Sequence, residues 1–164
     1  MREPKSSYFS CYRTDSRPVL ADDMNALNEV FDTCEETDLL EMLQDGAKIL
    51  KSGKYQLSFT ALMKSTGSNP LTVELTRVRP ADGRAKEKLI GRRSVDFRSR
   101  QGYPEVGLSA SIFMMEELEE NDMIKIVQTT SNGSSFLRSS DWNLLRLEGH
   151  LAGRTGNPCY QGRC

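Results

Sequence analysis

The sequence is poor in the residues on which enzyme active sites and metal centres are usually built. Its 164 residues include one histidine, His150. Nucleophilic catalysis needs a Ser or Cys with a base in hydrogen-bond reach. His150 sits between Gly149 and Leu151 on a strand-like run and reads as a structural histidine, not as such a base. No Gly-x-Ser-x-Gly elbow, phosphate loop or Gly-x-Gly-x-x-Gly turn occurs. The cysteines Cys11, Cys34, Cys159 and Cys164 include no Cys-x-x-Cys pair, which excludes the common zinc spacings. No run of about eighteen apolar residues is present, so no segment reads as a spanning helix. A net charge of −1 excludes broad attraction to nucleic acid or membrane. Met1-Arg2-Glu3-Pro4-Lys5 lacks the apolar stretch of a signal peptide. That fits a cytosolic protein, and equally a domain cut from a longer secreted chain.

What is present points to one domain. The length suits a single unit, and 37% apolar residues suffice for one core. Turn signals punctuate the chain at Asp45-Gly46, Ser52-Gly53, Gly67-Ser68-Asn69-Pro70, Asp82-Gly83, Gly102-Tyr103-Pro104, Asn121-Asp122 and Asn132-Gly133. Between them lie short runs of period-two alternation, the pattern of a sandwich or barrel. Tyr55–Met63 is the clearest strand, with Tyr55, Leu57, Phe59, Ala61 and Met63 on one face and Gln56, Ser58 and Thr60 on the other. Leu71–Val78 alternates in the same way. Leu108–Met115 is apolar on both faces, as a strand buried between layers would be. Tyr8–Arg13, Lys86–Phe97, Met123–Thr129 and Leu144–Leu151 supply further strands. Gly91 interrupts Lys86–Phe97 and marks a bulge or a close backbone approach. Glu35–Leu43 departs from this pattern and reads as a short helix or irregular loop, with acids at its N-terminal end. The tail from Gly153 reads as poorly ordered.

Charge is unevenly spread. Every charged residue from Asp22 to Asp45 is acidic, whereas Arg84–Arg100 is mainly basic. These are either two solvated surfaces or complementary patches that orient subunits or recruit a charged partner. The basic stretch could take sulfated glycans or phosphates. Only Phe97 and Tyr103 lie near it, too few aromatics for base stacking, so nucleic acid is disfavoured. Glu116–Asp122 does not have the spacing of an EF-hand calcium loop and reads as a solvated turn. Asn132-Gly133-Ser134 is a glycosylation acceptor pattern in a predicted loop. The four cysteines permit two disulfides in any of three connectivities, or four reduced thiols.

Three segments resemble the complement C1q-like globular domain of the C1q/tumour-necrosis-factor superfamily. Phe9-Ser10-Cys11-Tyr12-Arg13 is similar to its opening Phe-Ser-Ala-x-Arg. Gly46-Ala47-Lys48-Ile49, followed by Gly53-Lys54-Tyr55-Gln56-Leu57, is similar to Gly-x-Phe then Gly-x-Tyr-x-Phe. Leu118-Glu119-Glu120-Asn121-Asp122-Met123-Ile124 and Leu147-Glu148-Gly149-His150-Leu151 sit where that domain has Leu-x-x-Gly-Asp-x-Val and a closing Phe-Ser-Gly-Phe-Leu. Asn121 would replace a turn glycine, being a residue that tolerates positive φ. Ile49, Leu57 and Leu147 are aliphatic where that family is aromatic.

The resemblance implies an all-β, ten-stranded jelly-roll sandwich assembled as a homotrimer. It places the domain at 8–152, between an extension at 1–7 and a tail at 153–164. It implies a non-catalytic, secreted recognition domain of a longer chain, binding a protein or glycan ligand through exposed loops. Those loops are Ser65–Pro70, Arg79–Lys88, Arg98–Pro104 and Ser131–Arg138. No cofactor is implied; some members bind calcium, and no ligand positions for it match here. Candidate binding residues are Arg84, Arg92, Arg93, Arg98 and Arg100. Candidate subunit-contact residues are Tyr55, Leu57, Phe59, Leu147 and Leu151, shared between core and interface. Cys11, Cys34, Cys159 and Cys164 are candidate disulfide partners, and Asn132 is the candidate glycan site. The competing reading is a monomeric β-barrel carrier of a small apolar ligand, for which the Leu, Ile and Met content would serve.

Overall fold

An alternating strand buries its apolar face only when a second layer covers it. The computed structural model describes residues 7–35, 38–65, 70–96, 106–130, 135–138 and 145–153. There, eleven strands form two antiparallel sheets. In chain order they are β1 (Tyr8–Tyr12), β2 (Thr33–Glu35), β3 (Leu40–Met42), β4 (Ala47–Ile49), β5 (Gly53–Ser65), β6 (Leu71–Arg79), β7 (Lys86–Val95), β8 (Val106–Leu118), β9 (Met123–Thr130), β10 (Ser135–Arg138) and β11 (Arg146–Gly153). A 3-10 turn at Ala21–Asn25 and a single helical turn, α1 (Leu27–Val30), interrupt them. Among the described residues no helix is long and apolar enough to cross a membrane.

The front sheet runs β8–β5–β11–β1–β2. β5 is the long central strand. β8 covers one of its edges over its whole length, while β11 and β10 share the other, pairing with Lys54–Thr60 and Leu62–Ser65 respectively. The back sheet runs β7–β6–β9–β4–β3. Thus β7 and β8 form one side of the sandwich, and β2 and β3 form the other. The fold is the expected all-β jelly-roll sandwich, with eleven strands among the described residues where ten were expected.

The core lies between the sheets. Phe9, Tyr55, Leu57, Phe59, Leu71, Leu75 and Leu147 are all buried there. The Tyr55 hydroxyl donates to the Lys51 carbonyl at 2.6 Å, and burial pushes its pKa up to about 12. Gly149 is required by space: a Cβ there would run into the Phe9 ring. Asn121 takes φ 77°, as its turn position suggested. Gly91 fulfils both expectations for a strand glycine. The β6–β7 register shifts beside it, and a Cβ would lie 2.7 Å from Ile112 Cγ2 on β8.

Two expectations are corrected. Glu35–Leu43 is not helical where it is described: it contains the end of β2, a turn at Asp38 and β3. Leu39 and Leu40 are fully buried as the chain crosses between sheets, so tertiary burial overrides the local helical pattern. The expected loop Ser131–Arg138 contains β10. Residues 131–134 and 154–164 lie outside the described residues, and with them Asn132, Cys159 and Cys164.

Among the described residues one disulfide is present, Cys11–Cys34, joining facing positions of β1 and β2. The segment it closes is further held by two polar anchors. Buried Arg13 donates from Nη1 to the carbonyls of Val30 at 3.2 Å and Glu29 at 3.4 Å. Asp32 accepts from the backbone N–H groups of Thr14 and Asp15 and from the Thr14 and Thr33 hydroxyls.

Candidate interaction face

Period two means that burying Tyr55, Leu57 and Phe59 turns their neighbours outward. The outer face of the front sheet is therefore built from the alternate residues, aligned by register into three rows. The first is Met115–Gln56–His150–Tyr8, the second Phe113–Ser58–Glu148–Ser10–Glu35, and the third Ser111–Thr60–Arg146–Tyr12–Thr33. Phe113 is 68% exposed and Met115 45%, among the most open large apolar side chains described. The Tyr8 and His150 rings stack at 5.8 Å, and the Arg146 guanidinium lies 5.1 Å from the Tyr12 ring centroid. Arg146 also pairs with Glu148 at 3.5 Å. The Tyr12 hydroxyl donates to Glu35 at 3.1 Å, which holds its pKa above the ordinary value. The face mixes Ser and Thr with larger polar and aromatic side chains, is nearly charge-balanced, and has an uncovered Phe and Met at its β8 end.

Four of the five candidate contact residues face the core and not the surface. Tyr55, Leu57, Phe59 and Leu147 are at most 1% exposed, and Leu151 is half-buried against the same core. Of the five, only Leu151 keeps surface that a second chain could touch. The outer face of the same sheet offers Phe113 and Met115 on β8 and Tyr8 on β1 instead; the apolar-on-both-faces pattern of Leu108–Met115 signalled the first two without saying which face would stay open.

Three of the candidate basic residues, Arg84, Arg92 and Arg93, lie among the described residues. Arg84 is exposed in the β6–β7 turn beside Gly83, and Arg92 and Arg93 are exposed on β7. Lys86 and Arg92 are about 20 Å apart at ordinary strand rise. Arg98 and Arg100 lie outside the described residues. Lys88 reaches across to β8 and pairs with Glu116 at 2.8 Å.

The acidic run Glu116–Asp122 is largely engaged by cations. Asp122 is buried and accepts from Arg79 Nε at 3.0 Å and Nη2 at 2.9 Å, and Glu119 pairs with the same guanidinium at 3.4 Å. The Asp122 contact raises the Arg79 pKa further. Among the described residues no group of three His, Cys, Asp or Glu is placed to hold a metal ion.

The chain is similar in structure to a solved protein, Eiger TNF from S. frugiperda. The two superpose with a TM-score of 0.63 over 97% of this chain and 99% of that one, at 12% sequence identity. The fold is that of a tumour necrosis factor. No protein-family model matches the chain, and no curated protein matches it in sequence. A tumour-necrosis-factor fold is what the C1q/tumour-necrosis-factor resemblance led one to expect.

Proposed function

We propose that this chain is the self-assembling recognition head of an extracellular protein, three copies around a three-fold axis, acting by binding and not by catalysis. The observation that carries the reading is the outer face of the front sheet. On a tumour-necrosis-factor fold it leaves Phe113 and Met115 open beside a nearly neutral surface. Large apolar side chains clustered on an exposed face mark a contact surface. The Cys11–Cys34 disulfide suits an oxidising compartment and supports the extracellular assignment. Exposed loops, among them the β6–β7 turn with Arg84, would meet a protein or glycan ligand. Three copies raise avidity for repeated ligands. The C1q-like motifs and the tumour-necrosis-factor fold agree on this general role.

The carrier reading has no comparable support. A carrier needs room inside a closed sheet. Here two separate sheets press on Phe9, Tyr55, Leu57, Phe59 and Leu75, which fill the space between them.

Light scattering behind a sizing column tests the proposal. A mass near three chains, unchanged by reductant, supports the assembled head. A one-chain mass at all concentrations overturns it.

A further inference from the structure

Where the ends of β6, β7 and β8 meet, the sandwich opens into a cleft of about 480 Å³, lined among others by Lys54, Arg77, Arg79, Lys88, Glu117 and Glu119. The alternation of β6 explains its chemistry. Leu71, Val73 and Leu75 are buried between the sheets, and the same face of the strand continues as Arg77 and Arg79. Register sets Lys88 of β7 directly opposite Arg77. Cations gathered in this way repel one another unless each is compensated. Lys88 pairs with Glu116 at 2.8 Å, and Arg79 pairs with buried Asp122 at 2.9 Å and Glu119 at 3.4 Å. Arg77 is not compensated. Its half-buried guanidinium makes no hydrogen bond or ion pair with a described residue, and its Nε is shielded from solvent without an acceptor. Shielded N–H groups in native proteins nearly always have an acceptor, so this one marks a place for a group the chain does not supply. Lys54 stands at the rim, opposite Glu117 in the β5–β8 ladder, and is also in no ion pair with a described residue.

We propose that this cleft binds the sulfate ester of a saccharide, with the Arg77 guanidinium as its anchor. This rests on the recognition reading above, whatever the number of copies, and names a ligand group and the residue that grips it. A guanidinium presents Nε–H and a terminal N–H in one plane, a fork that matches two oxygens of an oxyanion. Lys54, Arg77, Arg79 and Lys88 are matched in number by Glu116, Glu117, Glu119 and Asp122, so the surroundings are neutral and the deficit is local to Arg77. A neutral surrounding suits a group with a single negative charge, as a sulfate ester has. A phosphate ester, with about −1.5 to −2, suits it less. The volume falls in the range of small-molecule sites, about 300–1,000 Å³, and exceeds what an oxyanion alone would fill. The rest of the cleft is suited to a sugar. The Glu117 and Glu119 carboxylates can accept from its hydroxyls, and half-open Met115 offers apolar surface to the ring.

Nitrogen-15 NMR of the whole chain, tuned to arginine Nε–H signals, provides the test. The probes are galactose 6-sulfate, galactose 6-phosphate, galactose and sodium sulfate, each up to about 10 mM, where even weak binding is seen. The Arg77 Nε–H signal of the parent should move saturably with galactose 6-sulfate and stay in place with galactose. Arg77→Lys keeps the charge and loses the fork, and should weaken binding about tenfold or more. Arg92→Glu with Arg93→Glu should bind as the parent does. Circular dichroism melts establish that both variants are folded, and the parent signal needs no variant. An Arg77 signal unmoved by every probe overturns the proposal, and so does an Arg77→Lys chain that binds like the parent. Equal affinity for galactose 6-phosphate or for sodium sulfate overturns the assignment to a sulfated saccharide. Binding lost only in the Arg92 and Arg93 variant overturns the cleft, gives the ligand to β7 and leaves the recognition head standing.

Discussion

At the residue scale, the fold depends on a few positions where no substitute fits. Gly149 allows Phe9 to lie flat across β11. Gly149→Ala should cost about 1–3 kcal/mol, the usual range for overpacking, read from the urea midpoint. Adding Phe9→Leu should recover part of that loss, because the two side chains share one space. Asp32 makes a second case. Its partial burial alone would raise its pKa, but the hydrogen bonds from Thr14, Thr33 and Asp15 outweigh this and hold the carboxyl below its ordinary 3.8. A depressed folded pKa gives stability that is full above the unfolded value and is lost as pH falls through the folded one. The parent should therefore be more stable than Asp32→Asn above about pH 4, and the gap should close on acidification. Melting temperatures measured across that range check it; a constant gap would mean the hydrogen bonds act independently of charge.

At the element scale, legibility followed strand length. β5 and β6 span several alternations, so Tyr55, Leu57 and Phe59 announce both the strand and its buried face. β2, β3 and β4 have three residues each, too few for any period to show. In Glu35–Leu43 the leucines happen to be spaced as on a helix, and only the crossing between sheets explains why Leu39 and Leu40 are buried. Phe113 was legible as apolar but not as exposed, since a sequence does not say which face of a doubly apolar strand a neighbour will cover. The Cys11–Cys34 link was one of several open pairings. β2 pairs with β1 through three residues only, so the disulfide is its main tether. Replacing both cysteines by alanine should cost about 3 kcal/mol for a loop of this size. Denaturation with and without reductant measures it; equal midpoints for parent and variant would assign the tether to Arg13 and Asp32 instead.

At the scale of the whole molecule, the trimer proposed above rests on the uncovered end of the front face. Phe113→Asp places a carboxylate where a neighbour would bury apolar surface, next to Ser58 in the ladder. The expected result is a folded single chain with an unchanged melting profile at dilute concentration and a lost trimer peak. A trimer that survives the change would move the contact off this face. The strand order carries one more consequence. β11 lies between β5 and β1, although its residues come more than eighty positions after the end of β5 in the chain. A ribosome therefore delivers both flanking strands long before the one that joins them. Until it arrives, each presents an open hydrogen-bonding edge beside apolar residues, the condition in which nascent β proteins most need a chaperone. For this chain, the speed of translation between β5 and β11 sets how long that exposure lasts.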